Sequence, residues 1–163
     1  MTANDVLRRI RYIFDINDSG MIRIFEHGGL KVTREEISDW LKKEEDPDSK
    51  TCSDSQLARF LNGFIIEKRG KKEGAADPQA ETRLSNNNIF MKLKIALNLK
   101  SEDVLDILQL AEFQLSKHEL SAFFRKPGHK HYRECKDQVL RNFLKGMQIK
   151  YRNSHESEAE FKW

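Results

Sequence analysis

Two short segments gather residue types that ligate metals. In HKHYREC, His129, His131 and Cys135 fall close together, with His118 and Glu134 nearby. The matching positions of an earlier segment hold Asp46, Asp48 and Cys52. A structural zinc site takes four ligands, commonly in pairs such as C-x-x-C, and neither segment offers such a pair. Cysteine is also among the most readily buried residues and packs as a small apolar group. The spacing therefore favours packed, reduced thiols at Cys52 and Cys135 over a metal site, and no cofactor is expected. An enzymatic reading would need the His129/His131/Cys135 cluster to do more than pack.

The elements that carry these residues occur twice. CSDSQLARFLNG begins at Cys52 and CKDQVLRNFLKG at Cys135, 83 residues later. The same offset, without a gap, sets Asn4 on Asn87, Glu36 on Glu119, Asp54 on Asp137, Gly63 on Gly146 and Arg69 on Arg152. Apolar positions between these identities stay apolar, as with Ile10/Leu93, Ile37/Leu120 and Trp40/Phe123. An ungapped register with conserved apolar spacing marks a duplicated structural unit. The expected fold is all-α, a tandem pair of roughly four-helix modules related by an approximate two-fold axis.

Composition agrees with such modules. The 163 residues are 34% charged and 38% hydrophobic with three prolines, which suits a mainly helical chain with a modest core. Arginines interrupt MTANDVLRRIRYIFD where an export signal needs an unbroken apolar run, and no segment reaches the apolar length of a membrane span. A cytoplasmic chain without a membrane partner is expected, and its two cysteines are then expected to be reduced. A net charge of +3 does not by itself indicate a polyanion partner.

Helical signals recur at matched places. Asn4 and Asn87 read as N-caps of a first helix whose apolar positions follow at helical spacing. A second helix follows Asp18 and Ser101. Gly28-Gly29 closes its first version, whereas Ala111-Glu112 lets the second run longer. Thr33-x-x-Glu36 and Ser116-x-x-Glu119 are capping boxes, each with a hydrophobic staple from Val32 to Ile37 or from Leu115 to Leu120. Local geometry accounts for these glutamates without any acid/base role.

The last helix of each module carries Leu57, Phe60, Leu61 and Phe64, or Leu140, Phe143, Leu144 and Met147, on one stripe. Asp54 and Asp137 precede these stripes. Each either caps its helix or lies within it, paired with a basic side chain, because an unpaired buried carboxylate is too costly. Gly63 and Gly146 fall inside the apolar pattern. A mid-helix glycine costs about 1 kcal/mol relative to alanine, so these two point to a long helix approached closely by a neighbour, with the duplicate helix as one candidate.

NN-x-x-x-x-LKIAL at Asn87, YRECKDQVLRNFLKG at Tyr132 and CSDSQLARFLNGFIIEKRGKK at Cys52 together resemble the YehS-like family of bacterial proteins. The resemblance covers nearly the whole chain to about Arg152. It implies a tandem helical repeat in a bacterial cytoplasm and no known activity. Ser49 departs from the aromatic, such as Tyr132, that the pattern favours.

The expected organisation is a first repeat over 4–70, a connector over 71–86, a second repeat over 87–153 and a tail over 154–163. KKEGAADPQAETRLS reads as a flexible connector. The tail NSHESEAEFKW has no apolar period; its Phe161 and Trp163 read as part of a frayed terminus rather than docked groups.

No glycine-rich phosphate loop, nucleophile elbow or zinc-protease motif is present. The first functional reading is a non-enzymatic interaction or regulatory module with a protein partner. The alternative is nucleic-acid binding by the second repeat, where Arg125–Arg152 is dense in Lys and Arg and the matching segment of the first repeat is close to neutral. Its candidate contacts are Arg141, Lys145 and Arg152, which fall on one stripe of a continuous helix.

Overall fold

The computed structural model describes residues 1–76 and 79–152. The tail at 154–163, including Phe161 and Trp163, lies outside the described residues. Among the described residues there are eight α-helices and no strand. The first four are α1 (Ala3–Ile13), α2 (Asp18–His27), α3 (Arg34–Leu41) and α4 (Asp54–Arg69). They are repeated as α5 (Asn86–Ala96), α6 (Ser101–Leu110), α7 (Lys117–Phe123) and α8 (Asp137–Tyr151).

Side-chain caps start most of these helices, because the first-turn N–H groups have no partner within the helix. Both expected capping boxes are present. Glu36 N donates to Thr33 Oγ1 at 3.1 Å and Thr33 N to Glu36 Oε1 at 3.0 Å. Glu119 N donates to Ser116 Oγ and Ser116 N to Glu119 Oε1, both at 3.0 Å.

Three local expectations are corrected. The caps of α1 and α5 are Thr2 and Ser85, not Asn4 and Asn87. The cap of α4 is Ser53, so Asp54 is the first residue inside the helix. Helix α6 does not outrun α2, for both span ten residues. Glu112 takes φ +57° where Gly29 takes φ +87°, so the second copy makes the same left-handed exit without glycine.

Helices α4 and α8 organise the packing. Within the repeats α4 lies on α2 and α8 on α6, while across the repeats α4 meets α5 and α8 meets α1. A Cβ on Gly63 would sit 1.8 Å from Ile24 O, and one on Gly146 2.0 Å from Ile107 O. The close neighbour is therefore the second helix of the same repeat rather than the duplicate helix, and glycine is needed because backbone meets backbone there. Phe25, Phe60, Phe64, Phe90 and Phe143 belong to one continuous core that runs through both repeats. A small module gains from this sharing, since it buries too little surface alone.

The connector is tied down where it approaches α5. Asn62 Nδ2 donates to Gln79 O at 3.5 Å, Glu81 pairs with Lys92 at 3.1 Å, and Leu84 N donates to Asp54 Oδ2 at 2.9 Å. No helix among the described residues is long and apolar enough to cross a membrane.

Candidate functional site

The polar residues that recur at the 83-residue offset are mostly engaged in holding the fold. Asn4 Nδ2 donates to Trp40 O at 3.0 Å and Lys50 O at 2.7 Å, while its Oδ1 accepts from Cys52 N at 2.9 Å. Asn87 does the same in the second repeat, to Phe123 O at 3.0 Å and Arg133 O at 2.8 Å, and from Cys135 N at 2.9 Å. One amide thus pins the loop that leads into the last helix of its repeat. Every hydrogen-bonding direction used is directed at backbone, which suits an amide and no charged side chain.

Other recurring residues cross between repeats. Asp54 accepts from Leu84 N, and Asp137 accepts from the Met1 amino group at 2.8 Å and from Asn86 Nδ2 at 2.7 Å. Arg69 Nη1 donates to Ile95 O at 3.1 Å and Asn98 Oδ1 at 2.9 Å. Arg152 Nη1 donates to Tyr12 O, and its guanidinium lies 3.8 Å from the Tyr12 ring centroid. Residues 84 and 95 are the counterparts of 1 and 12, so these contacts are exchanged reciprocally, as a two-fold relation requires.

The metal-type residues do not converge. Cys52 and Cys135 are free and buried, and burial pushes both thiols up to about 12. His129 and His131 are exposed, with His131 N donating to His129 Nδ1 at 3.0 Å. Among the described residues, no three His, Cys, Asp or Glu side chains gather where they could hold a metal ion.

The basic stripe also differs from its expected form. Helix α8 stops at Tyr151, and Arg152 follows with extended backbone at φ −96° and ψ 144°. Arg152 therefore leaves the stripe and lies against Tyr12. Arg141 is exposed and Lys145 half-buried on α8.

What the sequence reasoning missed is a pair of equivalent clefts, one beside each Asn clamp. The first, of about 350 Å³, is lined by Asp5, Arg8, Lys42, Glu44 and Ser49. Its two matched cations are both engaged: Arg8 pairs with Asp5 and donates to Lys42 O at 3.1 Å, and Lys42 pairs with Asp39 at 2.8 Å. The second, of about 590 Å³, carries Asn88, Met91, Arg125, Pro127 and Tyr132 at the same five positions. Phe124 and Arg83 complete its wall. Arg83 and Arg125 are exposed, and neither has an ion-pair partner among the described residues. The replacement of Ser49 by Tyr132 was the signal that pointed here.

Comparison with known proteins agrees with the duplication. The family described as "Protein of unknown function (DUF1456)" matches residues 3–70 and again residues 86–153. The "Uncharacterized protein YehS" of Escherichia coli (strain K12) is 45% identical over 147 residues, covering 90% of this chain and 94% of that protein. No solved structure matches. Two matched segments in tandem and an extended relative lead to one assignment: the chain belongs to the DUF1456 family.

Proposed function

We propose that the protein is a non-enzymatic recognition module of the bacterial cytoplasm, which engages a partner through the cleft of its second repeat. The observation that carries this reading is the divergence of the two equivalent clefts. In the first, the cations Arg8 and Lys42 are held in ion pairs. In the second, the same positions present an aromatic ring, a thioether and a guanidinium with no ion pair among the described residues. Elsewhere the recurring Asn, Asp, Glu and Arg side chains are engaged in caps and clamps, and thiols with pKa values near 12 are poor nucleophiles. The bacterial setting rests on the Escherichia coli relative. Free, buried thiols support a reducing compartment.

A second reading places nucleic acid on the basic face of the second repeat through Arg141, Lys145 and Arg152. The exposure of Arg141 favours it, but Arg152 is already engaged with Tyr12.

A photo-crosslinking amino acid at position 132, with position 49 as its counterpart, tests the recognition reading in bacterial cells. A specific adduct from 132 and none from 49 is the expected result. Equal or absent adducts at both positions would remove the reading.

A further inference from the structure

The geometry points to single-stranded nucleic acid as the ligand of the second-repeat cleft, with a base against Tyr132 and phosphates on Arg83 and Arg125. This rests on the recognition reading above and names its partner class. A strand of this kind presents a flat apolar ring and an anion at every nucleotide. A protein binds it with aromatic platforms set beside cations, and the rings accept any base because every base has a stacking face.

The cleft supplies both parts. Tyr132 is half-buried, so its ring lies in the wall of the cleft and is still reachable. Phe124 stands beside it in the wall, braced edge-on by Phe90 at 5.0 Å and 71°. Met91 adds a polarizable apolar surface. Arg83 and Arg125 open on the same cleft from different segments, and Lys94 Nζ lies 5.4 Å from the Phe124 ring centroid. A volume of about 590 Å³ is in the range of small-ligand sites, so one or two nucleotides fit.

The wall is also held in place. Asn87 fixes Phe123 O and Arg133 O at the two ends of the loop that carries Arg125 and Tyr132. That loop adds exposed Lys126, Lys130 and Arg133, which lets a strand continue beyond the cleft along positive charge. Glu134, outside the cleft, pairs with Lys136 at 3.4 Å, and Asp54, the one carboxylate in the lining, accepts from Leu84 N and is outnumbered there by Arg83 and Arg125. An acidic peptide would satisfy the arginines but leaves no reason for Tyr132 and Phe124 to stand beside them in the wall, so the single strand is favoured.

The test is fluorescence anisotropy of the full chain with labelled twelve-residue oligo(dT) and oligo(U), and with a duplex of the same length, from low to moderate salt. Salt-sensitive binding of the single strands over the duplex is expected. Tyr132→Ala should weaken it about tenfold, the loss of one stacked base. Tyr132→Phe should keep it, which separates stacking from a loss of folding. Arg125→Gln should lower the salt slope by about 0.7, one phosphate on a single strand. Ser49→Ala, in the other cleft, should change nothing. Absence of binding at low salt, or binding weakened by Arg141→Glu but indifferent to Tyr132→Ala, overturns the inference. The crosslink at position 132 separates the two readings. A nuclease-sensitive adduct supports single-strand binding, whereas an adduct sensitive only to protease overturns it and leaves recognition standing.

Discussion

Asp54 accepts the backbone N–H of Leu84 at 2.9 Å, so the first residue of α4 holds the approach to the second repeat. Asp137 makes the counterpart contact to Met1. With a core shared between the repeats, these latches predict that the halves unfold together. Thermal unfolding followed by circular dichroism and, in a Trp163→Phe variant, by the fluorescence of Trp40 in the first repeat should give coincident transitions. Separate transitions would show that the repeats are independent. Asp54→Ala should lower stability by about 1 kcal/mol, as for one hydrogen bond to a partly exposed charge.

Asn87 is the more buried of the two loop clamps, at 6% exposure. Asn87→Ala leaves two carbonyls and one N–H without their partner, and the expected loss is about 2–3 kcal/mol. Asn4→Ala should cost less, because Asn4 is only half-buried and water can replace some of its bonds. Urea denaturation of both variants checks the order; a larger effect at Asn4 would contradict it.

Alanine at an exposed mid-helix glycine stabilises by about 1 kcal/mol. At Gly63 and Gly146 the sign should reverse, because the added carbon lands on the carbonyl of Ile24 or Ile107. We expect each variant to lose at least about 1–3 kcal/mol, the range for overpacked cores. Gly128→Ala, with open space around it, should stay within about 0.5 kcal/mol of the parent.

Burial holds the Cys52 and Cys135 thiols near 12, so little thiolate exists at pH 8. Relative to an ordinary cysteine of pKa about 8.5, ionisation alone should slow reaction with a disulfide reagent by roughly a thousandfold. Both thiols should react promptly in denaturant. Fast reaction of either in the native protein would argue against this packing.

Several carboxyls sit below their ordinary range: Glu67 beside the Arg23 guanidinium, Glu119 on the Ser116 N–H, and Asp137 on the Met1 amine. A lowered folded pKa adds stability that is present above the unfolded value, about 4, and lost as pH falls through the folded one. Urea midpoints should therefore be insensitive to these groups from pH 7 to about 5 and decline below about 4. Glu119→Gln, which can still cap, should remove part of the acid slope; an unchanged slope would dismiss the assignment.

The local features were legible in sequence. A capping box lies within four residues, so Thr33/Glu36 and Ser116/Glu119 declared themselves without knowledge of the fold. The clamps did not, although Asn4/Asn87, Asp54/Asp137 and Arg69/Arg152 all stood out as repeated identities. Their partners are mainly backbone groups 26 to 140 residues away, and a backbone carbonyl leaves no trace in residue type. A good cap residue near a helix start was therefore mistaken for a cap, when Thr2 and Ser85 supply that function. Arg152 was drawn onto a stripe because periodicity alone does not reveal that α8 ends one residue earlier. The cleft was visible only as a difference, Ser49 against Tyr132, whose meaning required the loop to be placed beside α5.

The exchanged latches have one more consequence, which concerns inheritance rather than stability. Two identical copies assembled about a two-fold axis must present the same side chains in both clefts, because each substitution appears in both subunits. Joining the copies in one chain lifts that constraint. One cleft can then hold its cations in ion pairs while the other carries Tyr132, Met91 and Arg125 at the same positions. The fold retains the form of a homodimer, with sequence freedom that a true homodimer lacks.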